Sequence, residues 1–267
     1  DDQQVLSLST QQYSQYMQSA KPSSNATNTA LVKRVGQRLA TAVETYLKNN
    51  GYANEVQYFA WEFNLVADKQ VNAFCMPGGK IVVYEGLLPV TQDEASLAVV
   101  LGHEIAHAVA KHSAEQMSTQ LRQQYGSQIL SQVLNSVAPA NSTLTGLAGL
   151  ATQMGFSFAN LKYSRDNETE ADIMGLIFMA MAGYDPQTAI PFWQRMASSG
   201  SNSGSDIFSD HPSDAKRIVS LQKAMPEALK YYKPVTATTA TKPATTTKKA
   251  TITKKTTTTK KTSTTKK

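Results

Sequence analysis

A single cysteine, Cys75, stands in 267 residues, so neither an intramolecular disulfide nor a four-cysteine metal knuckle can form. It reads as a small buried hydrophobe rather than a nucleophile or ligand. No run of eighteen purely apolar residues occurs, which argues against a membrane-spanning helix. The strict glycine period of collagen is missing, and 41% hydrophobic residues is too many for a wholly disordered chain. Acidic residues are missing from 236–267, which hold 16 Thr and nine Lys, with Thr runs split by lysine pairs. Removing those nine lysines takes the formal charge from +6 to −3, so the basic character belongs to this tail. No aromatic residue interleaves its lysines, which argues against a nucleic-acid partner. The tail has almost nothing to bury and is expected to be a disordered tether, with 1–235 forming the folded domain. Weak, salt-screened adhesion to an anionic surface is its other reading. The first residue is Asp1 rather than Met, which suggests a processed product whose targeting signal lies outside it. Charge is also missing from Gln123 to Leu161, 39 positions rich in Ser, Gln, Asn, Ala and Gly. This stretch reads as a helical pair packed on the domain, or as a surface touching lipid or a hydrophobic client.

Apolar spacing predicts helices over 4–20 and over Leu31 to Leu47, the second ending at Asn49-Asn50-Gly51. Val56 to Phe63 is rich in aromatic and β-branched residues and predicts a strand. Val71 to Met76, Pro77-Gly78-Gly79 and Lys80 to Tyr84 read as strand, turn and strand. From Thr91 onward the chain reads as helical. Thr91 and Glu94 form a T-x-x-E capping box for a helix from about Asp93 to His112. Further helices are expected near 114–137, 144–161, 166–182, 187–198 and 213–230. Gly183 fits a helix stop, Asp185-Pro186 and Pro212 fit helix starts, and Ser198 to Asp206 fits a mobile loop.

The chemistry is concentrated in Gly102-His103-Glu104-Ile105-Ala106-His107, an H-E-x-x-H pattern inside an apolar run. Residues four apart share a helix face, so His103 and His107 can hold one zinc ion. Glu104 is one step along, beside the metal rather than on it, where a general base belongs. Left without a metal, so many polar groups in an apolar helix would be costly. A catalytic zinc keeps three protein ligands and one open position. His112 is five residues past His107, off the ligand face, and reads as a structural or surface residue. Glu168 and Asp172 are four apart and share a face. Glu168 fits a third ligand with Asp172 orienting a ligand histidine, but also fits an acidic residue near a helix N-terminus. Glu170 points roughly opposite. His211 could stabilise an oxyanion, could occupy the open zinc position in a self-inhibited state, or could merely cap a helix. Arg217 reads as the anchor of a nearby carboxylate or as a surface charge.

Four pieces in order carry a resemblance: Val71-Asn72-Ala73-Phe74-Cys75-Met76-Pro77-Gly78-Gly79-Lys80-Ile81, the His103–His107 motif, Tyr163-Ser164-Arg165 through Glu168 to Asp172, and Asp210-His211-Pro212-Ser213. Over roughly Leu31 to Leu229 the chain resembles the gluzincin zinc metallopeptidase family of the type-1 CAAX prenyl protease and HtpX, and looks closest to its soluble periplasmic lipoprotein members. The resemblance implies an α+β, predominantly α, zincin-like domain with a small β-sheet beside the active-site helix. It makes Glu168 the third ligand and Asn72, Ala73 and Phe74 the edge strand along which an extended peptide adds. It also implies a periplasmic, membrane-anchored location.

Together these readings predict one Zn2+ per chain held by His103, His107 and Glu168. Glu104, with His211 sharing the developing negative charge, is expected to hydrolyse peptide bonds in extended or misfolded polypeptide in envelope quality control. The alternative is a zinc-stabilised, chaperone-like module that holds envelope clients such as outer-membrane proteins through 123–161.

Overall fold

The computed structural model describes residues 2–135, 149–151, 153–159, 161–198, 211 and 215–234, with backbone alone over 127–135. Its first two helices are α1 (Asp2–Ser19) and α2 (Ala26–Asn49). Asn25 caps α2 by accepting from the Asn28 amide at 3.0 Å. The apolar stripe of α2, Val32, Val35, Leu39, Val43 and Leu47, is buried in the main core.

Three short strands follow: β1 (Glu62–Val66), β2 (Ala73–Met76) and β3 (Lys80–Tyr84). The order is β1-β3-β2, with β1 parallel to β3 (Glu62 opposite Lys80) and β2 antiparallel to it (Ala73 opposite Val83). Gly78 and Gly79, at φ +87° and +79°, make the tight turn between β2 and β3. Side chains of β2 and β3 are buried on both faces. Ala73, Cys75, Ile81 and Val83 join the core of α2, while Phe74, Met76, Val82 and Tyr84 pack with Val5, Leu8 and Tyr13 of α1. Burial on both faces explains why these strands read as nearly unbroken apolar runs.

The strand expected over Val56 to Phe63 is displaced. Residues 53–58 form a 3-10 turn, and the strand begins at Glu62. Phe59, Trp61 and Phe63 stack successively, at 4.7 Å and 6.5 Å between ring centroids, so their aromatic content serves packing rather than strand pairing. Lys80 secures the start of β1, donating to Ala60 O and Glu62 Oε1, each at 2.6 Å.

A short helix, α3 (Leu88–Thr91), precedes α4 (Glu94–Val109). The expected Thr91–Glu94 capping box does not form. Asp93 is the cap, accepting from the Ser96 amide at 2.7 Å, while Thr91 donates to Leu88 O and Glu94 pairs with Arg34. Helix α4 also stops before His112. Lys111 takes φ +61°, and His112 opens α5 (His112–Asn135), itself broken at Gly126 with φ +73°. Then come α6 (Arg165–Met181), α7 (Ala189–Ser198) and α8 (Ala215–Tyr231). Ser164 and Asn167 form a capping box at α6, and Gly183 follows its end at φ +82°. Of the helix expected over 144–161, residues 149–151 and 153 are helical and 154–159 and 161 are not. Residues 136–148, 152 and 160 of the uncharged stretch, the loop after Ser198, the start at Pro212 and the tail from 236 lie outside the described residues. Among the described residues, no helix is long and apolar enough to cross a membrane.

Candidate metal centre

Helix α4 carries His103, Glu104 and His107, all buried. Helix α6 crosses it where two glycines meet. A Cβ on Gly102 would lie 3.0 Å from Gly175 O, and one on Gly175 would lie 3.0 Å from His103 N. The two backbones thus touch beside the first histidine, which brings Glu168 and Asp172 of α6 against the ligand face of α4. Glycine inside a helix costs about 1 kcal/mol relative to alanine. Close approach is what that cost secures here.

His103 Nε2 lies 3.1 Å from His107 Nε2 and 3.1 Å from His211 Nδ1. Glu168 Oε2 is 3.3 Å from His103 Nε2, and Glu168 Oε1 is 3.3 Å from His107 Nε2 and 2.8 Å from His211 Nδ1. A tetrahedron with arms of about 2.0–2.1 Å, the usual zinc–nitrogen length, has edges of about 3.3 Å. The separations are close to that value. His103 Nδ1 meets Asp172 Oδ1 at 2.9 Å, so a hydrogen donated there leaves the lone pair on Nε2, facing the cluster. Among the described residues, buried Glu168 Oε2 and Glu104 Oε1 have no hydrogen-bond partner. Convergent lone pairs and an unsatisfied carboxylate oxygen make a donor set that fits a borderline-soft divalent cation such as zinc.

The electrostatics follow from burial and neighbours. At His103 burial and Arg217 oppose the charged ring, but Glu168 and Asp172 outweigh them and raise it to about 9. At His107 burial dominates and holds the ring well below its ordinary value. Burial raises the Glu104 carboxyl, with His211 and His103 partly offsetting it. Burial also works against ionised Glu168, but His103, His107 and His211 together hold it far below the usual range. Asp172 is likewise held low, by Arg217 and His103 against burial.

The structure brings His103, Glu104, His107, Glu168, Asp172 and His211 together. Asn72, Ala73 and Phe74 lie outside this cluster and are only 3–4% exposed. Asn72 Oδ1 accepts from the Ala73 amide at 2.8 Å, and Phe74 packs edge-on against Tyr16. Among the described residues, no strand pairs with the outer edge of β2.

Arg217 is an anchor, not a surface charge. It is buried, donates to Asp172 Oδ1 at 2.6 Å and to His211 O at 3.3 Å, and lies 3.5 Å from the centroid of the Trp193 ring. His112 is buried too, and its Nδ1 is 2.9 Å from His107 Nδ1. Counting helical steps from His107 fails because the chain leaves helical geometry at Lys111. Tyr163, present in a quoted motif but given no role, stacks on His107 at 3.9 Å with 16° between the planes. The Gly102–Gly175 contact was also missed, although each glycine interrupts an otherwise helical pattern, a sequence signal of close approach.

The profile of peptidase family M48 matches residues 27–225. The chain is 36% identical over 192 residues to the mitochondrial metalloendopeptidase OMA1 of Arabidopsis thaliana, covering 71% of this chain and 37% of that protein. It is 33% identical over 188 residues to the protein of the same name in Saccharomyces cerevisiae, covering 65% and 49%. Identity is 30% over 158 residues to a putative β-barrel assembly-enhancing protease of Vibrio cholerae, covering 57% and 32%. The chain thus spans about a third to a half of the length of these curated relatives. With that profile spanning the helices that build the buried histidine–glutamate cluster, the chain belongs to peptidase family M48, a family of zinc-dependent metallopeptidases.

Proposed function

We propose that this chain is a zinc metalloendopeptidase that cuts extended segments of unfolded or misassembled proteins. The convergence of His103 Nε2, His107 Nε2 and Glu168 on one point, with the Glu104 carboxylate beside it, carries this reading. His103, His107 and Glu168 would hold the ion. Zinc supplies Lewis-acid polarisation of a peptide carbonyl and acidifies water at neutral pH. Glu104 takes the proton from the attacking water and returns it to the departing amide nitrogen. Burial favours its protonated form, which suits a group that must accept a proton and then release it. Asp172, fixed by Arg217, holds the His103 ring in place. The outer edge of β2 at Asn72, Ala73 and Phe74 receives the substrate as an added strand, with main-chain hydrogen bonds that depend little on its sequence.

His211 Nδ1 stands with the three ligand groups, at the corner a catalytic site keeps open. In this arrangement His211 blocks that corner. We propose that this arrangement is a resting form and that His211 swings aside when a carbonyl enters.

A setting in protein quality control draws on the relatives, which are named as mitochondrial metalloendopeptidases and as β-barrel assembly-enhancing proteases. The second group supports a periplasmic envelope location with outer-membrane proteins as clients. The first group supports mitochondria. Family membership favours hydrolysis over a chaperone-like module.

The test is Glu104→Gln. Zinc content should match wild type while casein cleavage falls by about 10²–10⁴-fold, the usual contribution of a positioned general base. Unchanged turnover would remove Glu104 from the chemistry. Client binding with no cleavage even in wild type would favour the chaperone-like module.

A further inference from the structure

Two groups beside the cluster have no part in the account so far. His112 opens α5, where the turn at Lys111 brings its ring back under His107. Its Nδ1 is 2.9 Å from His107 Nδ1, and its Nε2 is 3.3 Å from Glu170 Oε2. The His107 ring is pinned face-on by Tyr163, whose hydroxyl is 2.9 Å from Ser113 Oγ. His107 therefore has a fixed plane, and its Nδ1 faces His112.

Resting on the metal-site reading above, we propose that His112 and Glu170 are positioning residues that set the tautomer of His107. A carboxylate oxygen only accepts, so Glu170 takes the hydrogen on His112 Nε2. That leaves a lone pair on His112 Nδ1, which accepts the hydrogen on His107 Nδ1. The remaining lone pair of His107 then lies on Nε2, the atom that faces His103 and Glu168. The opposite polarity would put a hydrogen on His107 Nε2, inside the cluster, and remove a ligand. Asp172 performs the same task for His103 directly. For His107 the task is relayed through a second imidazole to a carboxylate whose side chain is 58% exposed. One ligand is thus oriented from the buried interior and the other from the protein surface.

The experiment is zinc affinity by competition with a chromophoric chelator on the full chain, with long-range ¹⁵N–¹H spectra of the zinc-loaded wild type. His112→Ala should weaken zinc binding by about 10–100-fold, the usual effect of losing a group that supports a ligand. His112→Asn places an acceptor oxygen near the lost Nδ1 and should restore most of that affinity. The spectra should show the His112 hydrogen on Nε2. A hydrogen on His112 Nδ1 would overturn the proposal, and that reading needs no variant to fold. Wild-type affinity in His112→Ala, or equal losses in the Ala and Asn variants, would also overturn it. Failure of wild type itself to bind zinc would instead refute the metal site on which the proposal rests.

Discussion

At His103 two carboxylates overcome the effect of burial, whereas at His107 burial prevails. The two ligands are therefore supported differently, one by direct ionic partners and the other by ring stacking and a second histidine. The grouping of His103, Glu104 and His107 was legible because one helix carries them at fixed angular steps. Glu168 and Asp172 were legible as a pair for the same reason, but their meeting with α4 was not, since spacing says nothing about which helices cross. Of the two readings of His112, structural or surface, the structure has the buried one, and the single left-handed residue Lys111, which ends the helical count, turns its ring toward His107. His211 gives the clearest prediction at this scale. Its ring stands with His103, His107 and Glu168, and these three would remain to hold a metal without it. His211→Ala should retain zinc and cleave casein several-fold faster, since one positioned interaction of about 1 kcal/mol corresponds to roughly fivefold. Slower cleavage with zinc retained would make His211 a transition-state donor instead.

At Gly102 and Gly175 helix α4 meets α6 backbone to backbone, and this contact limits the distance between the two halves of the candidate metal site. Gly175→Ala gains about 1 kcal/mol of helix propensity but introduces overpacking worth about 1–3 kcal/mol. The helices should separate by a few tenths of an ångström, lowering both the melting temperature and zinc affinity. Unchanged zinc affinity would show that the crossing does not set the ligand distances. The sheet makes a separate prediction. Its hydrogen bond from Lys80, opposed by partial burial, holds the Glu62 carboxyl below its usual range. A lowered folded value means that the stabilisation is present above the unfolded value, about 4.3, and is lost as pH falls through the folded one. The stability difference between wild type and Glu62→Gln should thus be full at neutral pH and shrink in acid. A difference independent of pH would rule out the ion pair as its source. The hairpin and the long helices were legible from period and turn residues. The start of β1 was not, because stacked aromatics and strand aromatics look alike in sequence.

Among the described residues, a sheet whose β2 and β3 are buried on both faces packs with a bundle of helices, and together they enclose a cluster of polar side chains beside the apolar cores. The α+β class was implied by the family resemblance, and the apolar period agrees with it, changing from helix to strand after Gly51 and back to helix near Thr91. The packing of α8 behind the site was not, although Arg217 on that helix ties Asp172 to the His211 backbone. The central claim is that this buried cluster exists to hold a catalytic metal. Metal content of the purified chain, measured alongside casein cleavage with and without a chelator, tests it most directly. The account predicts about one zinc per chain, as for a single three-ligand catalytic site, with cleavage that a chelator abolishes and added zinc restores. Cleavage that survives complete removal of zinc would contradict it.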